Sequence, residues 1–294
     1  MKACILINAF LRGEEYLYQP RRIREELVKL GVEADVRTPG NMPVYVDRGE
    51  IVNALDGYDF YIYLDKDKYI LDALNRTGKL VFNSARAIEL CDDKNKTFLY
   101  LSGKNIPMPE TITSPLLYPA FDDTDGLFAD SVEKRLGYPM VVKEAYGSFG
   151  AQVYLAKNRS ELDALRNRLK YMPHLYQRYV KNSSGEDIRI IVVGGKAVAA
   201  MKRKNKGDFR ANIELGGVGE KYIPSSEQVE LSERICRLLG ADYIGVDLLF
   251  DKDKTLLCEV NTNAHFMFIS DCTGVDVAEL YIGHVMEEIY GRAD

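Results

Sequence analysis

The chain lacks the signals that mark several large protein classes. Its five cysteines, Cys4, Cys91, Cys236, Cys258 and Cys272, are scattered, with no CxxC pair and no zinc-type spacing, so neither a disulfide framework nor a structural zinc site is expected. Each lies in or near an apolar segment, and buried free thiols in a reducing cytoplasm are the simplest reading. No apolar run approaches the ~18 residues needed to span a bilayer. The opening MKACILINAFLRG has only a short apolar run, broken by Asn8, and no cleavage site. Basic excess is missing too: a net charge of -5 gives no support for a global nucleic-acid binder. There is no GxGxxG after the first strand, no GK[ST] phosphate loop, no internal repeat and no evident Ser–His or Cys–His pair. What remains is an ordinary soluble protein, expected in the cytoplasm, with neither nucleic acid nor membrane as a partner.

What is present begins with length. At 294 residues the chain exceeds one small core, and its 46% hydrophobic and 28% charged residues suit two or three globular subdomains. Strands at Lys2–Ile7, 32–36, 59–64 and 79–82 alternate with helical patterns, a helix opening at Pro20 and others near 51–55 and 69–74. That alternation predicts a small parallel α/β unit over residues 1–85. Tyr16, Tyr18, Arg21 and Arg22 are candidates for a substrate face there, with simple solvation as the blander reading. Beyond it, the pattern predicts helices over 92–104, 131–136, 161–171, 226–239 and 277–290, and a hairpin turning at Gly194-Gly195.

The stretch Tyr243–Thr262 organises the remainder. It reads as two strands joined by the turn 251–254, with Asp247, Glu259 and Asn261 set inside otherwise apolar runs. Glu259 and Asn261 share a face because residues two apart on a strand point the same way, and antiparallel pairing can bring Asp247 beside them. A buried carboxylate needs neutralising, and two carboxylates with an amide oxygen suit Mg²⁺. Upstream, a strand ending in Lys143 runs into a loop with Gly147, Ser148 and Gly150, rich in free backbone N–H groups and suited to a polyphosphate. The segment 202–212, with Arg203, Arg210 and Asn212, is the most basic in the chain. Opposite an oxygen-ligated metal, its charges suit a triphosphate.

The order of these pieces resembles the ATP-grasp superfamily, and within it the RimK-type and LysX-type amino-acid ligases. The resemblance covers about residues 85 to 280. It rests on QRYV at 177–180 with GEDIR at 185–189, GDFRAN at 207–212, GVD at 245–247 and EVN at 259–261. It implies a mixed α/β and α+β ATP-grasp fold: an N-terminal pre-ATP-grasp domain (1–85), a central subdomain with a glycine-rich lid at 147–150 (86–175), and a C-terminal subdomain with the metal site (176–294). It implies that Lys94 and Lys143 contact ATP phosphates and that Gly147 and Ser148 cover them. The backbone of Gln177, Arg178, Tyr179 and Val180 would read adenine, Asp187 would read the ribose, and Arg203 would belong to the nucleotide site. Arg210 and Asn212 would hold the γ-phosphate, and Asp247, Glu259 and Asn261 two Mg²⁺ ions, with Mn²⁺ as an alternative.

The activity implied is ATP-dependent joining of a carboxylate to an amine through an acyl-phosphate. The amine would be an amino acid, and the acceptor a small molecule, peptide or protein carboxylate. An ATP-grasp small-molecule kinase and a non-catalytic ATP-binding module are the competing readings, and a homo-oligomer is compatible with all three. Two departures stand out. Arg178 replaces the usual hinge glutamate, and His265 stands where an acidic residue is expected. Whether His265 touches substrate or serves the fold stays open.

Overall fold

The computed structural model describes residues 1–11, 13–41, 44–53, 55–119, 121 and 126–291. The N-terminal part runs β1 (Lys2–Ile7), α1 (Glu14–Lys29), β2 (Glu33–Arg37), β3 (Val44–Asp47), β4 (Glu50–Asn53), β5 (Phe60–Leu64), α2 (Lys68–Arg76) and β6 (Leu80–Phe82). Strands β2-β1-β5-β6 form a parallel sheet. It is buried on both faces, which is why β1 and β5 read as unbroken apolar runs.

Two expectations fail here. The pattern at 51–55 is not helical: β3 and β4 form a hairpin whose two turn residues, Arg48 and Gly49, both have positive φ (50° and 86°), the backbone of a tight two-residue turn. Helix α1 starts at Glu14, and Pro20 lies inside it. Leu17, Tyr18, Ile23 and Leu27 all pack on one core, and that burial outweighs the single helix bond that proline removes.

The chain continues with α3 (Ala85–Asp92), α4 (Lys94–Leu101), β7 (Thr111–Thr113), α5 (Leu127–Leu136), β8 (Met140–Glu144), β9 (Val153–Ala156), α6 (Arg159–Leu169) and β10 (His174–Arg178). The helix expected over 92–104 is the shorter α4, because Asp93 ends the unanticipated α3 and caps α4 by accepting from the Lys96 N–H. A second, antiparallel sheet has the order β7-β10-β8-β9.

Last come β11 (Glu186–Val193), β12 (Lys196–Lys204), β13 (Val218–Lys221), α7 (Ser226–Leu239), β14 (Tyr243–Asp251), β15 (Lys254–Asn261), α8 (Met267–Thr273) and α9 (Val277–Gly291). Here the five-stranded antiparallel sheet runs β13-β12-β11-β14-β15. Helix α7 matches the expected 226–239, with a Ser225–Gln228 capping box at its start and Gly240 in the left-handed region at its end. Among the described residues, no helix is long and apolar enough to cross a membrane.

Two cores join parts that are distant in sequence. The parallel sheet is finished by the C-terminal segment, with Ile5, Ile7 and Phe60 sharing a cluster with Tyr243, Phe266, Val277 and Ile282. Cys91, Leu101 and Ile106 lie in the core of the five-stranded sheet with Ile190, Ile235 and Val246. One buried amide bolts these halves together. Asn83 donates to the carbonyls of Tyr243 (2.7 Å) and Thr262 (3.1 Å) and accepts from the N–H groups of Asp242 (2.7 Å) and Tyr243 (2.9 Å). Asn83→Ala removes all four bonds and is expected to cost about 3–5 kcal/mol. The shift of the urea midpoint at unchanged slope measures it, and a loss under about 1 kcal/mol would contradict it.

Candidate active site

The site is built on one face of the five-stranded sheet, and strand register explains why. Asp187 on β11 faces Arg203 on β12; Arg189 on β11 faces Asp247 on β14; Asp247 in turn faces Glu259 on β15. Because 187 and 189 are two apart, they share a face, so the row Arg203, Asp187, Arg189, Asp247, Glu259 crosses four strands with nearly alternating sign. Arg203 donates to both oxygens of Asp187 (2.7 and 2.6 Å) and to Asp247 (2.8 Å). Arg189 grips both oxygens of Asp247 at 2.7 Å. Burial pushes the Asp247 carboxyl up, but the two guanidinium charges outweigh it and hold the pKa down at about 2.

Glu259 is held below its usual range despite burial, chiefly by Lys94, whose Nζ lies 3.2 Å from its carboxylate. Lys94 is positioned by the start of α4, where its N–H donates to the Ala145 carbonyl (3.0 Å) at the root of the glycine loop. Lys143 differs from every other cation here. It is 5% exposed, and among the described residues no carboxylate lies within ion-pair distance. Its Nζ contacts the Cys258 sulfur at 3.8 Å, a thiol whose pKa burial pushes up to about 11. A buried ammonium beside a neutral thiol is a costly arrangement unless an anion completes it.

The glycine loop, residues 147–150 between β8 and β9, folds onto the basic segment. Arg210 is held by Asp208 (2.9 and 2.7 Å) and donates to the carbonyls of Gly150 in the loop (2.7 Å) and Val153 at the start of β9 (3.3 Å). Gly150 has φ +73°, and a Cβ there would sit 2.6 Å from the Asn212 side-chain oxygen, so only glycine lets the loop close this far. Ser148 meets Lys66 of the N-terminal part, Nζ to Oγ 3.3 Å.

Two adjoining cavities result. The first, about 90 Å³, is bordered by Lys143, 177–180, Asp187, Arg203, Arg210 and Asp247. The second, about 290 Å³, is bordered by Asn8, Tyr16, Lys66, Arg189, Asn261 and His265. Asn212 and Glu259 border both. The structure therefore gathers at one junction nearly every residue singled out from the sequence. Lys94 and Gly147 stand just behind it, linked by a long contact of 3.5 Å. Arg178, which also borders the first cavity, donates from its side chain to Asp251 (3.0 Å). Both oxygens of Asp187 are taken by Arg203. Of the four residues proposed for a substrate face, Tyr16 alone borders either of these two cavities; Tyr18 packs on Phe266, and Arg21 and Arg22 pair with carboxylates.

Sequence reasoning gave no site role to Arg189, quoted only within GEDIR, to Cys258, read only as a buried thiol, or to Lys66. Arg189 carried a signal, a charged residue two positions from Asp187 in an apolar strand; Lys66 carried none. Among the described residues, no cluster of three or more His, Cys, Asp or Glu is placed to hold a metal. The oxygen set of Glu259 and Asn261 beside the junction nevertheless fits Mg²⁺, whose remaining ligands are normally phosphate and water. Asp247 joins that set only if a guanidinium gives way. Arg203→Leu strips Asp187 of its partner and is expected to destabilise the fold by about 3–5 kcal/mol. Arg210→Ala, at the half-open rim, should cost less than about 1 kcal/mol. Paired urea titrations check this, and equal losses would refute the contrast.

Residues 91–285 match the family described as RimK-like ATP-grasp domain. Beta-citrylglutamate synthase B from Danio rerio is 33% identical over 235 residues, covering 79% of this chain and 56% of that protein, so the chain spans little more than half of that relative. A probable alpha-L-glutamate ligase from Marinomonas sp. (strain MWYL1) is 29% identical over 292 residues, covering 94% of each. Among solved structures, a RimK domain protein ATP-grasp from Sphaerobacter thermophilus DSM 20745 aligns with a TM-score of 0.74 at 21% identity, over 97% of this chain and 99% of that one.

Proposed function

This chain belongs to the RimK-like ATP-grasp family and has the ATP-grasp fold, and from that premise we propose that it is an ATP-dependent carboxylate–amine ligase working through an acyl-phosphate. The observation that carries the reading is Lys143, a buried ammonium with no carboxylate partner among the described residues, in a cavity walled by Arg203, Arg210 and Asp247. Such a site is electrostatically incomplete without a polyanion. We assign the first cavity to ATP, with adenine against the backbone of 177–180 and the phosphates toward Lys143, Lys94 and the loop at Gly147 and Ser148. At about 90 Å³ it is smaller than the ~300 Å³ of an ordinary ligand pocket. Entry of ATP therefore requires the Arg210–Gly150 tether to release.

The second cavity takes the carboxylate and the amine. The names of both relatives carry glutamate, so glutamate is our first candidate amine. The carboxylate oxygen attacks the γ-phosphorus, the bond to the β,γ-bridging oxygen breaks, and ADP leaves. Arg210 and Asn212, on the border between the cavities, receive the charge that builds on the transferred phosphoryl group. Glu259 and Asn261, with Asp247 behind them, would hold Mg²⁺, which when bound would add to the neutralisation of the triphosphate. The amine then attacks the acyl carbon and phosphate departs. The stretches 1–85, 86–175 and 176–294 would serve as acceptor wall, lid and metal platform. A peptide or protein acceptor and a homo-oligomer are compatible with this division.

The test is ADP release with Mg²⁺ and ATP, using glutamate with pooled carboxylates including citrate, and hydroxylamine in a parallel tube. Carboxylate-dependent release with hydroxamate formation is expected. A stable phosphorylated hydroxyl compound without hydroxamate would replace the ligase by a kinase. Folded Glu259→Ala is expected to lose at least about 100-fold in ADP release, and normal release would refute the site.

A further inference from the structure

The backbone on both sides of His265 is fixed from several directions. Gly245 lets the chain cross β14 closely, since a Cβ there would lie 2.6 Å from the Ala264 Cβ. The Tyr243 hydroxyl donates to the Ala264 carbonyl at 2.5 Å. Asn263 donates to the Leu64 carbonyl (2.8 Å) and accepts from Gln19 (3.2 Å). The ring then stands edge-on between Tyr16 of α1 (5.9 Å, 89°) and Phe149 of the glycine loop (5.7 Å, 77°). Neither nitrogen has a hydrogen-bond partner among the described residues. The other two histidines in the chain are engaged: His174 by Met172 and Tyr176, His284 by Asp242.

We propose that His265 is the base that takes the proton from the incoming amine in the amide-forming step, an inference that rests on the ligase reading above. An amino acid arrives as an ammonium, which has no lone pair, and attack requires that it be deprotonated inside the second cavity. The acidic groups there are otherwise placed. Glu259 is paired with Lys94, Asp65 accepts from Asn8 (3.1 Å) and the Lys66 N–H (2.7 Å), and Glu214 is exposed. Burial lowers the imidazole pKa first of all, with Glu214 pulling it up and Arg189 pushing it down. Tyr16 and Lys66 are the remaining titratable residues that border this cavity.

The step balances as follows. The ammonium gives one proton to the imidazole, the freed nitrogen forms a bond to the acyl carbon, and the carbon–oxygen bond to phosphate breaks. The second nitrogen proton leaves with the phosphate, giving amide, hydrogen phosphate and imidazolium.

Hydroxylamine provides the test, because it is unprotonated at neutral pH and needs no base. With citrate as the carboxylate probe, or the carboxylate identified from the pool, His265→Gln and His265→Asn are expected to keep hydroxamate formation within about 2-fold while glutamate-dependent ADP release falls by about 100-fold or more. Wild type should plateau above a pKa lying below the ordinary histidine value. The variants should instead rise about tenfold per pH unit with the fraction of free amine. Glu214→Gln should keep the plateau. Equal loss of both nucleophiles, or a retained plateau in the histidine variants, overturns the assignment. Absence of hydroxamate in wild type with every carboxylate would overturn the ligase reading itself, a distinct result.

Discussion

A row of buried charges across the five-stranded sheet is the constraint on which the site depends. Arg203, Asp187, Arg189 and Asp247 sum to zero charge and satisfy one another at 2.6–2.8 Å. Each alone would be expensive in an interior whose opposite face is Ile188, Ile190, Val246 and Leu248. Packed as a lattice of planar forks against carboxylates, they define a rigid wall. The wall's outer member, Glu259, has no arginine and is matched by a lysine from another element, and this is where the lattice opens to a ligand. Lys143, just beyond, is the charge left over.

The wall would be featureless without the parts that arch over it. The parallel sheet reaches the site only because its own core is completed by α8, α9 and Tyr243, and because Asn83 ties the end of β6 to the turn into β14 and to Thr262. Those contacts place Asn8, Tyr16 and Lys66 opposite Asn261 and His265. From the other side, the glycine loop crosses to Arg210. The two cavities are thus the spaces left between three sheets, meeting where Asn212 and Glu259 stand. Their contact is what the proposed two-step reaction, with its shared intermediate, requires.

Much of the architecture was legible in the sequence. Period-2 and period-3.6 patterns located most strands and helices, and α7 was bounded by its own caps, Ser225 and Gly240. Local reading failed in three places: packing overruled Pro20 inside α1, the Asp93 cap between α3 and α4 went unrecognised, and the hairpin at 44–53 turns on Arg48-Gly49, which lacks the usual Asn or Asp.

The sequence by itself determined the family and the presence of a three-oxygen set on a hairpin. Those depend on residue type and spacing along one chain, and short-range periodicity carries them. Only the tertiary structure decided which charges are already spent on one another and which are left for a ligand. Asp187 and Arg203 were both read as nucleotide contacts, yet they hold each other across β11 and β12. Lys143 and His265 gained their meaning from what does not touch them. Pairing across strands, and the absence of a partner, are properties of register and of packing between distant segments, and no linear pattern encodes them.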